Sequence, residues 1–79
     1  MKIYDFNGMK NVTGKNIKWE REQHSMSQTE LAKRLQKLGV NIERDSISRM
    51  ESGKRVVLDY ELILIAQVFE IPIHELIYP

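Results

Sequence analysis

The sequence predicts an all-α fold, a compact bundle of about five short helices in one domain. Three observations carry this. Apolar residues recur at three- and four-residue spacing almost throughout, and no run alternates strictly enough to make a strand. Helix starts and stops fall at short intervals, at Ser27 with Glu30 three residues on, at Gly53 and at Pro72. Finally, 79 residues leave room for one small core and no large catalytic cavity.

Residues 1–12 hold Asn7-Gly8 and no clear period, so they are read as an irregular N-terminal arm preceding a domain over 13–79. The first helix is expected from about Lys15 to His24, with Thr13 or Gly14 near its start. The second begins at Ser27, whose hydroxyl can cap the free amides of the next turn, and Glu30 completes the sequence signature of a capping box. Leu31, Leu35 and Leu38 mark its inward stripe before Gly39-Val40-Asn41 breaks it. A third helix covers about Arg44 to Ser52 with Ile47 and Met50 inward, and Gly53 ends it. The fourth runs from a cap at Asp59 to Phe69, burying Leu62, Ile65, Ala66 and Phe69. The fifth opens at Pro72 and buries Ile73, Leu76 and Ile77.

The net charge of +1 hides a polarity. Residues 1–59 carry all 12 Lys and Arg against 8 acids, whereas 60–79 carry Glu61, Glu70 and Glu75 and no base. One end of the body is thus suited to meet a polyanion, although chance scatter of surface charge gives the same pattern. The first residues lack the apolar run of a signal peptide. The longest apolar stretch, Leu62 to Ala66, falls far short of the roughly 18 residues of a bilayer span. Without cysteine there is neither a disulfide framework nor a thiolate zinc site. A soluble cytoplasmic protein without membrane partners is expected.

The informative stretches are Ser27-Gln28-Thr29-Glu30-Leu31-Ala32 and Ile47-Ser48-Arg49-Met50-Glu51-Ser52-Gly53-Lys54-Arg55. With Ile47 and Met50 inward, Arg44, Asp45, Ser48 and Arg49 are left on outer faces, and 45, 48 and 49 share one side. Such a face suits the DNA major groove. Arginine can grip guanine O6 and N7 with two bonds, a carboxylate can accept from cytosine N4, and serine adapts to either. Asp45 also has a plainer reading, as a first-turn partner of the helix dipole. Lys54 and Arg55 fall where phosphates flank the groove. Gln28 and Thr29 head the second helix, whose free amides suit phosphate oxygens. Lys33, Arg34 and Lys37 are read as a solvated face with at most long-range attraction to DNA.

From about Gly14 to Ile77 the chain resembles the phage-repressor and Cro-like helix-turn-helix family, also called the XRE family. The resemblance rests on Arg21, Ser27-Gln28, Leu31-Ala32, Ile47-Ser48, Glu51, Gly53-Lys54-Arg55 and the amphipathic run from Leu62 to Leu76. It implies a lambda-repressor-like domain that dimerises and puts its third helix in the major groove. Carried over position by position, it implies base contacts from Arg44, Asp45 and Arg49 with Ser48 near them. It also implies phosphate contacts from Gln28 and from the segment Ser52 to Arg55. Arg21 and Glu51 match a pair that ties helix 1 to helix 3, a structural role.

Two departures from the pattern create expectations of their own. The stretch between Ala32 and Ile47 is several residues longer than the compact pattern, with Gln36 to Asn41 as the excess, so either helix 2 gains a turn or the connection loops out. In helix 1, Glu20 stands where the family is usually apolar. Because an unpaired buried carboxylate is costly, a slight rotation is expected to put Trp19 inward and Glu20 at the rim.

No enzyme signature is present. Gly8, Gly14, Gly39 and Gly53 are scattered singly, unlike a phosphate-binding loop, and His24 and His74 lie far apart in sequence. Neither metal nor cofactor is expected. The sequence predicts a transcriptional regulator, a repressor, that binds a two-fold symmetric operator in double-stranded DNA as a homodimer. The acidic, apolar segment Ile71 to Tyr78 is its candidate for self-association. The rival reading keeps the fold but makes it a protein-interaction module, an antitoxin or an anti-repressor with a protein partner.

Overall fold

Local chemistry explains where each helix begins and ends in the computed structural model, which describes residues 5–78. Residues 1–4 of the expected arm and Pro79 lie outside that range. The helices are α1 (Gly14–Gln23), α2 (Gln28–Lys37), α3 (Arg44–Glu51), α4 (Asp59–Phe69) and α5 (His74–Ile77). At the head of α2 the Ser27 hydroxyl accepts the Glu30 amide at 3.0 Å. The Glu30 carboxylate does not complete a box. It pairs instead with Arg34 one turn on, at 3.3 Å.

At the end of α2 the chain turns through Gly39 at φ +91°. The Gly39 amide donates to Gln36 O and the Val40 amide to Leu35 O, both at 3.0 Å, which is a Schellman ending. This places Val40, 4% exposed, in the core close to Leu35. Leu38, expected on the buried stripe, is 41% exposed for the same reason: as the capping residue it leaves the helix before its face turns inward. The long connection therefore loops out. Buried Val40 and Ile42 pin it, and the Gln36 side chain donates to Ile42 O at 2.7 Å.

The same ending closes α3 at Gly53, with the Gly53 amide on Met50 O and the Lys54 amide on Arg49 O. At the start of α4 the capping residue is Leu58, not Asp59. Its amide donates to Glu61 Oε1 at 2.9 Å, while Asp59 Oδ1 takes the Tyr60 amide. The α5 helix opens two residues later than Pro72, after a turn in which Pro72 O accepts the Glu75 amide. Its stripe is narrower than expected, because Leu76 is fully buried, Ile77 partly so, and Ile73 is 38% exposed.

The helices meet around Ile17, Leu31, Leu35, Ile47, Met50, Ile65, Phe69 and Leu76, all essentially removed from solvent. The α1 helix packs against α3, α4 and α5, and α2 packs against α3 and α4. The phase of α1 contradicts the expected rotation: Trp19 is 58% exposed and Glu20 is buried. Ile17 points into the core, and Trp19 lies about 200° round the helix from it. Turning Trp19 inward would pull out both Ile17 and Arg21, which is bound to α3. The Glu20 carboxylate is accommodated because it borders an open groove between α1 and α5, with His24 Nδ1 3.9 Å away.

The segment read as an irregular arm is ordered where it is described. Phe6 and Met9 exchange backbone hydrogen bonds at 2.7 and 3.0 Å around Asn7 and Gly8. Both central residues have positive φ, 53° and 79°, the requirement of the tight primed turn that Asn-Gly favours. Asn11 Oδ1 then accepts the Gly14 amide at 2.8 Å and starts α1. Gly14 has no substitute here: a Cβ would fall onto the Met50 carbonyl.

Candidate nucleic-acid interface

The third helix has two sharply different sides. Ile47, Met50 and Glu51 face the core, while Arg44, Asp45 and Arg49 are exposed, with Ser48 partly so. At 100° per residue, Asp45, Arg49 and Ser52 follow one line along the outer surface, flanked by Ser48, with Arg44 at the edge nearest α2. Arg49 has no side-chain partner among the described residues, and neither has Lys54 just beyond the helix. Both cations are available to an outside ligand.

A polar chain behind this face fixes the angle between the first three helices. Arg21 Nε donates to Glu51 Oε2 at 2.7 Å and Nη2 to Oε1 at 3.0 Å, with both side chains largely buried. The remaining nitrogen, Nη1, donates to Met26 O at 2.8 Å, at the turn into α2. Hydrogen bonding to Glu51 raises the Arg21 guanidinium above its already high range, so Arg21 stays cationic. Glu51 Oε1 also accepts from Gln28 Nε2 at 3.0 Å. Gln28 Oε1 in turn accepts from Arg44 Nη1 at 3.2 Å, and Arg44 Nη2 meets Asp45 Oδ1 at 2.9 Å. One continuous path thus runs from α1 through Glu51 and Gln28 to the exposed edge of α3.

Of the residues singled out in sequence, Arg44, Asp45, Ser48, Arg49 and Ser52 share one surface, with Lys54 adjoining at its end. Thr29 is exposed on the first turn of α2, beside the partly buried Gln28. Arg55 is placed otherwise. Its guanidinium turns inward and makes a two-pronged pair with Glu61, Nη1 to Oε1 at 2.9 Å and Nη2 to Oε2 at 3.0 Å. Glu61 is 1% exposed, and Arg55 Nη1 also donates to Val56 O. An arginine whose neutralising partner is buried is held in place, so Arg55 belongs to the scaffold of the α3–α4 connection. Sequence reasoning also missed Asn11, whose amide donates to Met50 O at 3.0 Å and Arg55 O at 2.7 Å. Only its place before the first helix could have signalled it.

A model of the helix-turn-helix family matches residues 17–76. The chain belongs to the helix-turn-helix family. Among solved structures, the fold is similar to that of the DNA-binding domain of BldD, with a TM-score of 0.68 at 21% identity over 84% of this chain and 89% of that one. No curated protein matches. In this helix-turn-helix domain the connection between α2 and α3 spans 38–43, and the N-terminal turn precedes the matched region. Among the described residues no helix is long and apolar enough to cross a membrane.

Proposed function

We propose that the chain is a sequence-specific regulator of transcription, a repressor, that binds double-stranded DNA as a homodimer. The observation that carries this is the outer face of α3, where Asp45, Arg49 and Ser52 form an exposed line and the Arg49 cation has no side-chain partner among the described residues. In this reading Arg44, Asp45, Ser48 and Arg49 contact base edges in the major groove. Thr29, Ser52 and Lys54 contact phosphates on either side, with Gln28 both bracing Arg44 and presenting the head of α2. Membership of the helix-turn-helix family and the DNA-binding domain of similar fold support it.

Self-association is assigned to the side remote in sequence from these residues. There α4 exposes Tyr60 and Ile63, the residues flanking α5 expose Ile73 and Tyr78, and 60–79 carry no Lys or Arg to compete for DNA. A two-fold dimer puts its recognition helices about 34 Å apart and calls for a palindromic operator.

Selection from random duplexes tests the proposal. The wild type enriches a palindrome whose affinity falls steeply with salt. Arg49→Ala costs about 1–3 kcal/mol and relaxes one base position, whereas Lys54→Ala weakens all sequences alike and lowers the salt slope by about one. Absence of enrichment at low salt would end this reading.

A further inference from the structure

The N-terminal turn precedes the region matched by the helix-turn-helix family, so the shared fold does not account for it. It is fastened to the end of the recognition helix. The Lys10 amide donates to Gly53 O at 2.8 Å, and the Asn11 side chain bridges Met50 O and Arg55 O. Met9 lies so close over Gly53 that a Cβ there would strike its side chain. These contacts set the turn beside Gly53-Lys54, the segment assigned to phosphate.

Lys10 is the turn's cation, and its backbone is one hydrogen bond from the residue before Lys54. Its ammonium lies 2.7 Å from Asp5 Oδ1, with both side chains exposed, 39% and 49%. A solvated pair of this kind is weak and exchangeable, so a phosphate can take the place of Asp5. The turn itself is held by paired backbone bonds and the docked Met9, so little order has to be gained when Lys10 changes partner.

We infer that the phosphate-binding surface continues from Lys54 onto the N-terminal turn: Lys10 binds the DNA backbone next to the phosphate held by Lys54, and Asn11 positions both by clamping the end of α3. This rests on the proposed DNA-binding function and adds to it a contact from outside the family-matched residues. Asp5 is the internal competitor that Lys10 leaves on binding.

Ethylation interference on a duplex carrying the selected site, run on the full chain, separates the possibilities. With Lys10→Gln, interference should vanish at one phosphate adjoining the Lys54 position, the salt slope should fall by about one, and base preference should be unchanged. Lys10→Arg should restore the pattern. Asp5→Asn should tighten binding severalfold with the same pattern, since the competing carboxylate is gone. Thermal melting of each variant checks that the fold is kept. If Lys10→Gln binds the site with the wild-type interference pattern and slope, the turn only buttresses α3 and the inference fails, while the DNA-binding function stands. If the wild type protects no site, both fail together.

Discussion

Arg55 and Glu61 form a two-pronged ion pair across the α3–α4 connection, and Glu61 simultaneously takes the Leu58 amide that opens α4. One buried carboxylate therefore neutralises an arginine and starts a helix. Removing the cation leaves that carboxylate uncompensated. Arg55→Ala should lose about 3–5 kcal/mol of stability, read as a lowered denaturant midpoint, and Arg55→Lys should recover only part, because an ammonium cannot make the paired fork. Lys54→Ala, one residue away and exposed, should leave the midpoint within about 0.5 kcal/mol of wild type.

Glu51 is the second such hub. Glu51→Ala strands Arg21 between α1 and α3 and removes the acceptor of Gln28. A loss of about 3–5 kcal/mol is expected. Measured at a temperature where the variant is still folded, DNA affinity should fall too, since Arg44 then loses its brace through Gln28. Unchanged affinity would show that the polar path does not set the aim of α3.

Gly14→Ala sets two opposed effects against each other. Alanine favours the helix by about 1 kcal/mol, but the new methyl group meets the backbone carbonyl of Met50, which cannot swing aside as a side chain would. Overpacking of this sort costs about 1–3 kcal/mol or more. Clash wins, and calorimetry should show a net loss of about 2 kcal/mol.

Glu70 ends α4 in the left-handed conformation at φ 57°, a strained place for a residue with a Cβ, and it brings negative charge to a helix C-terminus. Glu70→Gly should raise stability by about 0.5–1 kcal/mol, the conformational relief outweighing glycine's greater freedom when unfolded. For a domain of this size that is a rise of a few degrees in Tm.

Trp19→Ala should cost less than about 1 kcal/mol, whereas Ile17→Ala, two residues away and fully buried, should cost about 2–5 kcal/mol. The reverse order would restore the rotated α1 expected from sequence.

That contrast shows what the sequence made legible. Helix order, the caps at Ser27 and Gly53 and the outward set on α3 are local features, written in spacing over a few residues, and they appear as read. Glu20, Leu38 and Arg55 depend on what lies across the fold. Glu20 is tolerated inside because a groove lies beside it, Leu38 is exposed because Gly39 turns the chain first, and Arg55 is drawn in by a carboxylate on the next helix. Asn7-Gly8 is different. It carries a local turn signal, because this pair readily supplies the positive φ that the turn needs.

In the proposed function, α3 keeps structural and reading duties on separate residues. Ile47, Met50 and Glu51 hold it to the body, and Asp45, Ser48 and Arg49 contribute almost nothing to that attachment. Exchanging the latter three is thermodynamically cheap, so a lineage carrying this scaffold can drift to new operators without passing through unfolded ancestors. An engineer can likewise transplant a foreign reading set onto it, provided Arg44 and its partner Gln28 are moved as a unit.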